Sequence, residues 1–232
     1  MKAGVSDDDR QRERQMKIYI VRHGETEMNK SGVLQGWTNS PLNESGVLLA
    51  KLTGQAMRDI HFDRCISSPL VRARDTAEII LRESGNGAVP VEIDERLKEI
   101  SVGVYEGRLA KEGPLPNGEA GRFFSDPAHF AGFPGGETIG QVIERTGAFL
   151  RDLIAADDGK TYLIGTHGCA VRALLNPFYE DPSAFWQEHV PYNCAVNILY
   201  AEGGKARLVE RDKIYYDASY IVDRYAGQQA AK

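Results

Sequence analysis

Short apolar runs of strand length alternate with amphipathic runs of helix length along this chain, and no other feature constrains its fold as much. Ile18–Val21, Arg64–Ser67 and Thr161–Gly165 read as short buried strands. Residues 44–58 read as a helix, weakened by Gly46 and Gly54. The stretch 70–82 sets Leu70, Ala73, Ala77, Ile80 and Leu81 on one helical face, and 138–154 does the same with Ile139, Val142, Ile143, Leu150, Leu153 and Ile154. Val89–Ile93 is a further strand after a Gly-Asn-Gly turn, and Ala195–Tyr200 and Ala206–Arg211 flank Gly203-Gly204 as a hairpin. This order predicts an α/β fold, a three-layer α/β/α sandwich. Its sheet is mainly parallel and covered on both faces, with the hairpin as an antiparallel edge.

A chain of 232 residues suits one domain with an insertion. Residues 1–15 are nearly all polar and read as a flexible N-terminal tail, with Met16 as a candidate natural start. Residues 16–232 then form a single domain. Within it, 104–136 holds four of the ten prolines, seven glycines, and Phe123, Phe124, Phe130 and Phe133, which predicts a lid-like insertion. No apolar run approaches the ~20 residues of a membrane helix, and the charged N-terminus shows no secretory signal. Cys65, Cys169 and Cys194 are too few and too scattered for a disulfide framework, so a cytoplasmic protein without a membrane partner is expected. A net charge of −5 disfavours nucleic acid as a partner. It leaves a small anion possible, because local cations in a cleft outweigh the global sum. The oligomeric state is not legible.

Arg22-His23-Gly24-Glu25-Thr26 directly follows the first strand, and His167-Gly168 follows the Thr161–Gly165 strand. Ligands of doubly wound sheets bind beyond the carboxyl ends of strands, so an arginine and two histidines can meet one ligand there. Gly24 permits close backbone approach. In Ser67-Ser68-Pro69-Leu70-Val71-Arg72-Ala73, Arg72 sits in the first turns of the helix after the second strand, an end that favours anions.

These segments, in order with Thr76-Ala77, Arg96-Leu97-Lys98-Glu99, Gly135-Gly136-Glu137 and Thr166-His167-Gly168 with Arg172, resemble the histidine phosphatase superfamily from about Met16 to about Tyr200. That family includes phosphoglycerate mutases and many phosphatases. The resemblance implies a phosphoglycerate mutase-like fold with no metal and no cofactor. It makes His23 the nucleophile, Glu99 the proton donor, and Arg22, Arg72 and His167 the holders of the phosphoryl oxygens. Asn29 matches a position beside the phosphate pocket. A small phosphorylated metabolite is the implied partner, and hydrolysis of a phosphate monoester the implied reaction.

Those residue types suit that chemistry. A neutral imidazole escapes the repulsion that a phosphate dianion exerts on anionic nucleophiles, and it can form a covalent intermediate. Two arginines match phosphate oxygens in pairs and hold His23 neutral, while the bound anion favours a cationic His167. A carboxyl group beside a dianion is pushed towards its protonated state, which suits Glu99 as acid. Glu106 is its rival. Glu137 reads as a helix-start residue, His61, His129 and His189 show no partner spacing, and Tyr192-Asn193-Cys194 has no assigned chemistry.

Other classes fit less well. A cysteine-based phosphatase needs an arginine six positions after its cysteine, and Val71 stands six after Cys65. No Cys-x-x-Cys, His-Glu-x-x-His or Gly-x-x-x-x-Gly-Lys-Ser/Thr pattern exists. A non-catalytic phosphate-binding protein on the same fold would be expected to lack His23 or Glu99, and both are present. The alternative enzyme is a phosphoglycerate mutase. That branch surrounds its glutamate and second histidine with different residues from Glu99-Ile100-Ser101-Val102-Gly103 and Gly168-Cys169-Ala170-Val171-Arg172.

Overall fold

A computed structural model describes residues 15–109 and 119–221. The proposed tail at 1–15, all but Gln15, therefore lies outside the described residues, as does the 110–118 part of the insertion. The chain order is β1 (Met16–Arg22), α1 (Glu27–Lys30), α2 (Glu44–Ala56), β2 (Arg64–Ser67), α3 (Val71–Glu83), β3 (Val91–Ile93), α4 (Glu119–Ser125), α5 (Ile139–Ala155), β4 (Thr161–Thr166), α6 (Gly168–Leu175), β5 (Val196–Glu202) and β6 (Lys205–Lys213). The third strand is shorter than expected: Val89 stays outside the ladder, and on that side Cys65, Ile66 and Ser67 pair in parallel with Val91, Glu92 and Ile93.

The six strands run in the order β3-β2-β4-β1-β5-β6. The β3, β2, β4 and β1 neighbours are parallel, and β5 and β6 form the antiparallel edge. Side chains alternate across a strand, and the two cores follow from that period. Ile18, Ile20, Tyr162 and Ile164 pack with Phe149, Leu150 and Leu153 of α5 and Val171 and Leu174 of α6. Tyr19, Val21 and Leu163 face the other way, onto Ala77, Ile80 and Leu81 of α3.

The described residues of 104–136 are not a bare loop. They carry α4 and 3₁₀ turns at Gly103–Tyr105 and Pro127–His129. Phe123, Phe124, Phe130 and Phe133 are buried in a cluster with Phe185 and Trp186, and the Trp186 indole donates to the Phe123 carbonyl at 2.6 Å. No helix among the described residues is long and apolar enough to cross a membrane. All three cysteines are free thiols and buried.

Candidate active site

Strand order assembles the site. β2, β4 and β1 are parallel neighbours, so their carboxyl ends lie at one edge of the sheet. Arg22 is in register with Thr166, and the next residues are His23 and His167. Adjacent strands run ~4.8 Å apart, and the two imidazole centroids lie 5.2 Å apart. Ser68 follows β2 in the same way, and its hydroxyl lies 2.8 Å from His167 Nε2.

Local packing fixes His23. Its Nδ1 lies 2.7 Å from the Gly24 carbonyl. A carbonyl only accepts, so Nδ1 carries the proton and Nε2 keeps its lone pair. Arg72 Nε donates to that Nε2 at 3.3 Å. The backbone of Arg22 and His23 is clamped from behind: Cys194 N donates to Arg22 O at 3.0 Å, and Asn193 Nδ2 donates to His23 O at 2.9 Å. The Tyr192–Cys194 segment, without assigned chemistry in the sequence reading, thus shapes the nucleophile's loop.

Gly24 has a different role from the expected one. A Cβ there would meet Gly46 O at 2.6 Å, and a Cβ on Gly46 would meet Glu25 O at 2.1 Å. The glycine pair lets the first turn of α2 press onto the histidine loop, so the close approach is made by a helix.

Electrostatics holds both imidazoles neutral. His23 lies well below the ordinary histidine range because burial penalises the cation, with Arg72 and Arg22 adding to it. Burial thus outranks the arginines that the sequence reading made responsible. His167 is also held well below that range, by burial first and then by Arg72 and His23. Burial thus favours the neutral ring, whereas the sequence argument favoured a cation with an anion bound. Burial lowers Arg72 to about 10, against the pull of Glu99 and Glu106, so it stays charged at neutral pH.

The supports are distinct for each group. Arg72 Nη1 and Nη2 donate to Thr38 O and Gly36 O, both at 2.8 Å. That loop is held by Glu106, which accepts from Gly36 N, Trp37 N, Thr38 N and the Thr38 hydroxyl. Its hydrogen bonds thus commit Glu106, the rival acid, to the loop. Arg22 Nη1 donates to Pro191 O. Glu99 accepts from Ile100 N at 2.9 Å, Cys169 N at 3.2 Å and Ala170 N at 3.3 Å, against the first turn of α6. Glu137 differs from its reading as a helix start. Thr138 caps α5, while Glu137 grips Arg145 and accepts from Ser101 N. Arg145 in turn donates to the carbonyls of Arg96, Lys98 and Glu99, fixing the loop that carries Glu99.

A pocket partly open to solvent is lined by Arg22, His23, Asn29, Gln35 and Glu99 together with apolar side chains. Asn29 lines the pocket, and its Oδ1 is engaged by Thr26 in a capping box of α1. Gln35 was missed, and Ser68 and Thr76, whose hydroxyl accepts from Gly24 N at 2.9 Å, stood in the quoted motifs without a role. Ser68 was findable by the rule that found the histidines, since it too directly follows a parallel strand. Arg172 is placed elsewhere, in an ion pair with Asp212 at 2.7 Å. His61 and His129 pair with Asp63 and Asp126 and His189 stacks on Tyr192; none lines the pocket.

A mainly parallel sheet with an antiparallel edge and helices on both faces is a phosphoglycerate mutase-like α/β fold, here with two imidazoles paired beyond the ends of its central strands. The chain belongs to the histidine phosphatase superfamily (branch 1), whose family model matches residues 18–213. It is 32% identical over 175 residues to a Salmonella choleraesuis protein named "Probable phosphoglycerate mutase GpmB", covering 75% of this chain and 78% of that one. Among solved structures it resembles Bacillus stearothermophilus YhfR, with a TM-score of 0.79 and 29% identity over 86% of this chain and 98% of that one. It also resembles the Entamoeba histolytica phosphoserine phosphatase solved with 3-phosphoglyceric acid, with a TM-score of 0.72 and 27% identity over 84% and 95% of the two chains.

Proposed function

We propose that the protein is a metal-independent phosphatase that hydrolyses a small phosphate monoester through a phosphohistidine on His23. One observation carries this reading: the Nδ1 proton is tied to Gly24 O, which leaves the Nε2 lone pair facing Arg72. An entering phosphoryl group takes over the Arg72 N–H as Nε2 attacks phosphorus and the ester P–O bond breaks. Arg22, Arg72 and His167 hold the equatorial oxygens, and Asn29 borders them. Glu99 gives its proton to the departing oxygen. It then takes one from the water that attacks phosphorus, and the breaking N–P bond returns its electron pair to Nε2. Charge compensation and alignment supply most of the acceleration such a transfer needs.

The name of the Salmonella relative favours a second reading, in which the phosphoryl group returns to another hydroxyl of a phosphoglycerate. Phosphate release by chelator-treated protein, run beside a mutase assay with and without 2,3-bisphosphoglycerate, separates the two. Release without isomerisation is expected. His23→Ala is expected to abolish release and acid-labile labelling, and Glu99→Gln to slow alkyl esters more than aryl esters. Full activity in His23→Ala, or equal slowing in Glu99→Gln, would overturn the corresponding role.

A further inference from the structure

We infer that the pocket selects phosphate monoesters of an apolar alcohol that bear no second ionised group. This rests on the phosphatase reading and names its substrate class. The polar end of the pocket is Arg22, His23, Asn29, Gln35 and Glu99. The same pocket is lined by the apolar side chains of Leu34, Val102, Phe123, Phe124, Trp186 and Val190.

Phe123 meets Trp186 edge-on at 5.0 Å and Phe124 stacks on it at 5.7 Å, while the indole N–H is satisfied by Phe123 O. The aromatic wall therefore offers area but no indole donor. Among the described residues lining the pocket, Arg22 is the one cationic side chain, and it borders the nucleophile. The Arg72 guanidinium lies behind, with both terminal nitrogens on carbonyls. Arg145, which holds the Glu99 loop, is turned to Glu137 and three carbonyls. A carboxylate or second phosphate on the leaving group would lose its hydration against apolar side chains that offer it no donor. An alkyl or aryl group would instead shed its hydration onto the wall.

The test uses ethyl to hexyl phosphates, whose leaving alcohols differ little in acidity, beside 3-phosphoglycerate and O-phosphoserine. Full burial of each methylene predicts a rise in kcat/KM of about fourfold per carbon, the equivalent of ~0.8 kcal/mol. Hexyl phosphate should exceed both carboxylate esters. Phe124→Ala should shrink the hexyl-to-ethyl ratio. A flat or falling series, or a preferred carboxylate ester, overturns the inference. The matching alkylphosphonates and 3-phosphonopropionate, titrated calorimetrically on the unmodified protein, separate the two claims. Affinity that rises with chain length without any turnover keeps the pocket and sinks the phosphatase. Turnover without a chain-length gain does the reverse.

Discussion

His23 and His167 are buried neutral imidazoles, and that gives them a stability signature independent of catalysis. In the unfolded chain both take up protons as pH falls through about 6.5. In the folded protein their values lie below that, so they resist. Between the two values the unfolded state binds more protons, and stability falls as pH falls. The stabilisation is complete above about pH 6.5 and is lost progressively below it, at up to about 1.4 kcal/mol per pH unit for each histidine. Urea denaturation at pH 7, 6 and 5.5 should show this slope, and His167→Asn should remove about half of it. A pH-independent midpoint across that interval rejects the buried-neutral assignment. The residues of the site were legible where chemistry coincides with position. His23 and His167 each follow a strand, and Arg72 opens a helix. The protonation reasoning was legible only in direction, because burial is set by the whole sheet while the arginines are neighbours visible in the motif.

Elements were legible wherever periodicity speaks, as in α3 and α5, and illegible where two backbones touch. Gly46 read as a flaw in a helix, since glycine costs ~1 kcal/mol against alanine in a helix interior. In the fold it is the contact surface of α2. Asn43 caps the helix through Gly46 N and also donates to Glu25, so cap and histidine loop are one unit. Propensity alone predicts that Gly46→Ala stabilises. A Cβ 2.1 Å from Glu25 O predicts the opposite sign: a loss of about 2–3 kcal/mol from overpacking, with reduced kcat from the displaced His23 loop. Thermal denaturation gives the sign directly, and a stabilised, fully active variant would discard this account. The same limit explains Glu137 and Glu106. Each sits in a loop and holds a backbone remote in sequence, Ser101 for Glu137 and residues 36–38 for Glu106, so no spacing rule connects them.

At the scale of the molecule, the question is whether the 104–136 segment is a separate lid or part of the core. Its aromatic residues share a cluster with Ile139 and Val142 of α5 and with Cys169 and Ala173 of α6. Those helices put their other faces, through Phe149, Leu150, Val171 and Leu174, into the core on the sheet. A helix that serves two clusters couples them, because losing one set of contacts frees the helix from the other. Composition could flag the segment by its prolines and glycines but could not show this shared packing, which depends on how α5 and α6 are oriented. The expectation is one cooperative transition. In a Trp37→Phe background Trp186 is the sole indole reporter, and it sits 5% exposed inside the aromatic cluster. Its fluorescence midpoint in urea should coincide with the loss of far-ultraviolet dichroism from the sheet and helices. A Trp186 transition at distinctly lower urea would mean that the aromatic wall opens by itself, and would make the segment a mobile cover over the pocket.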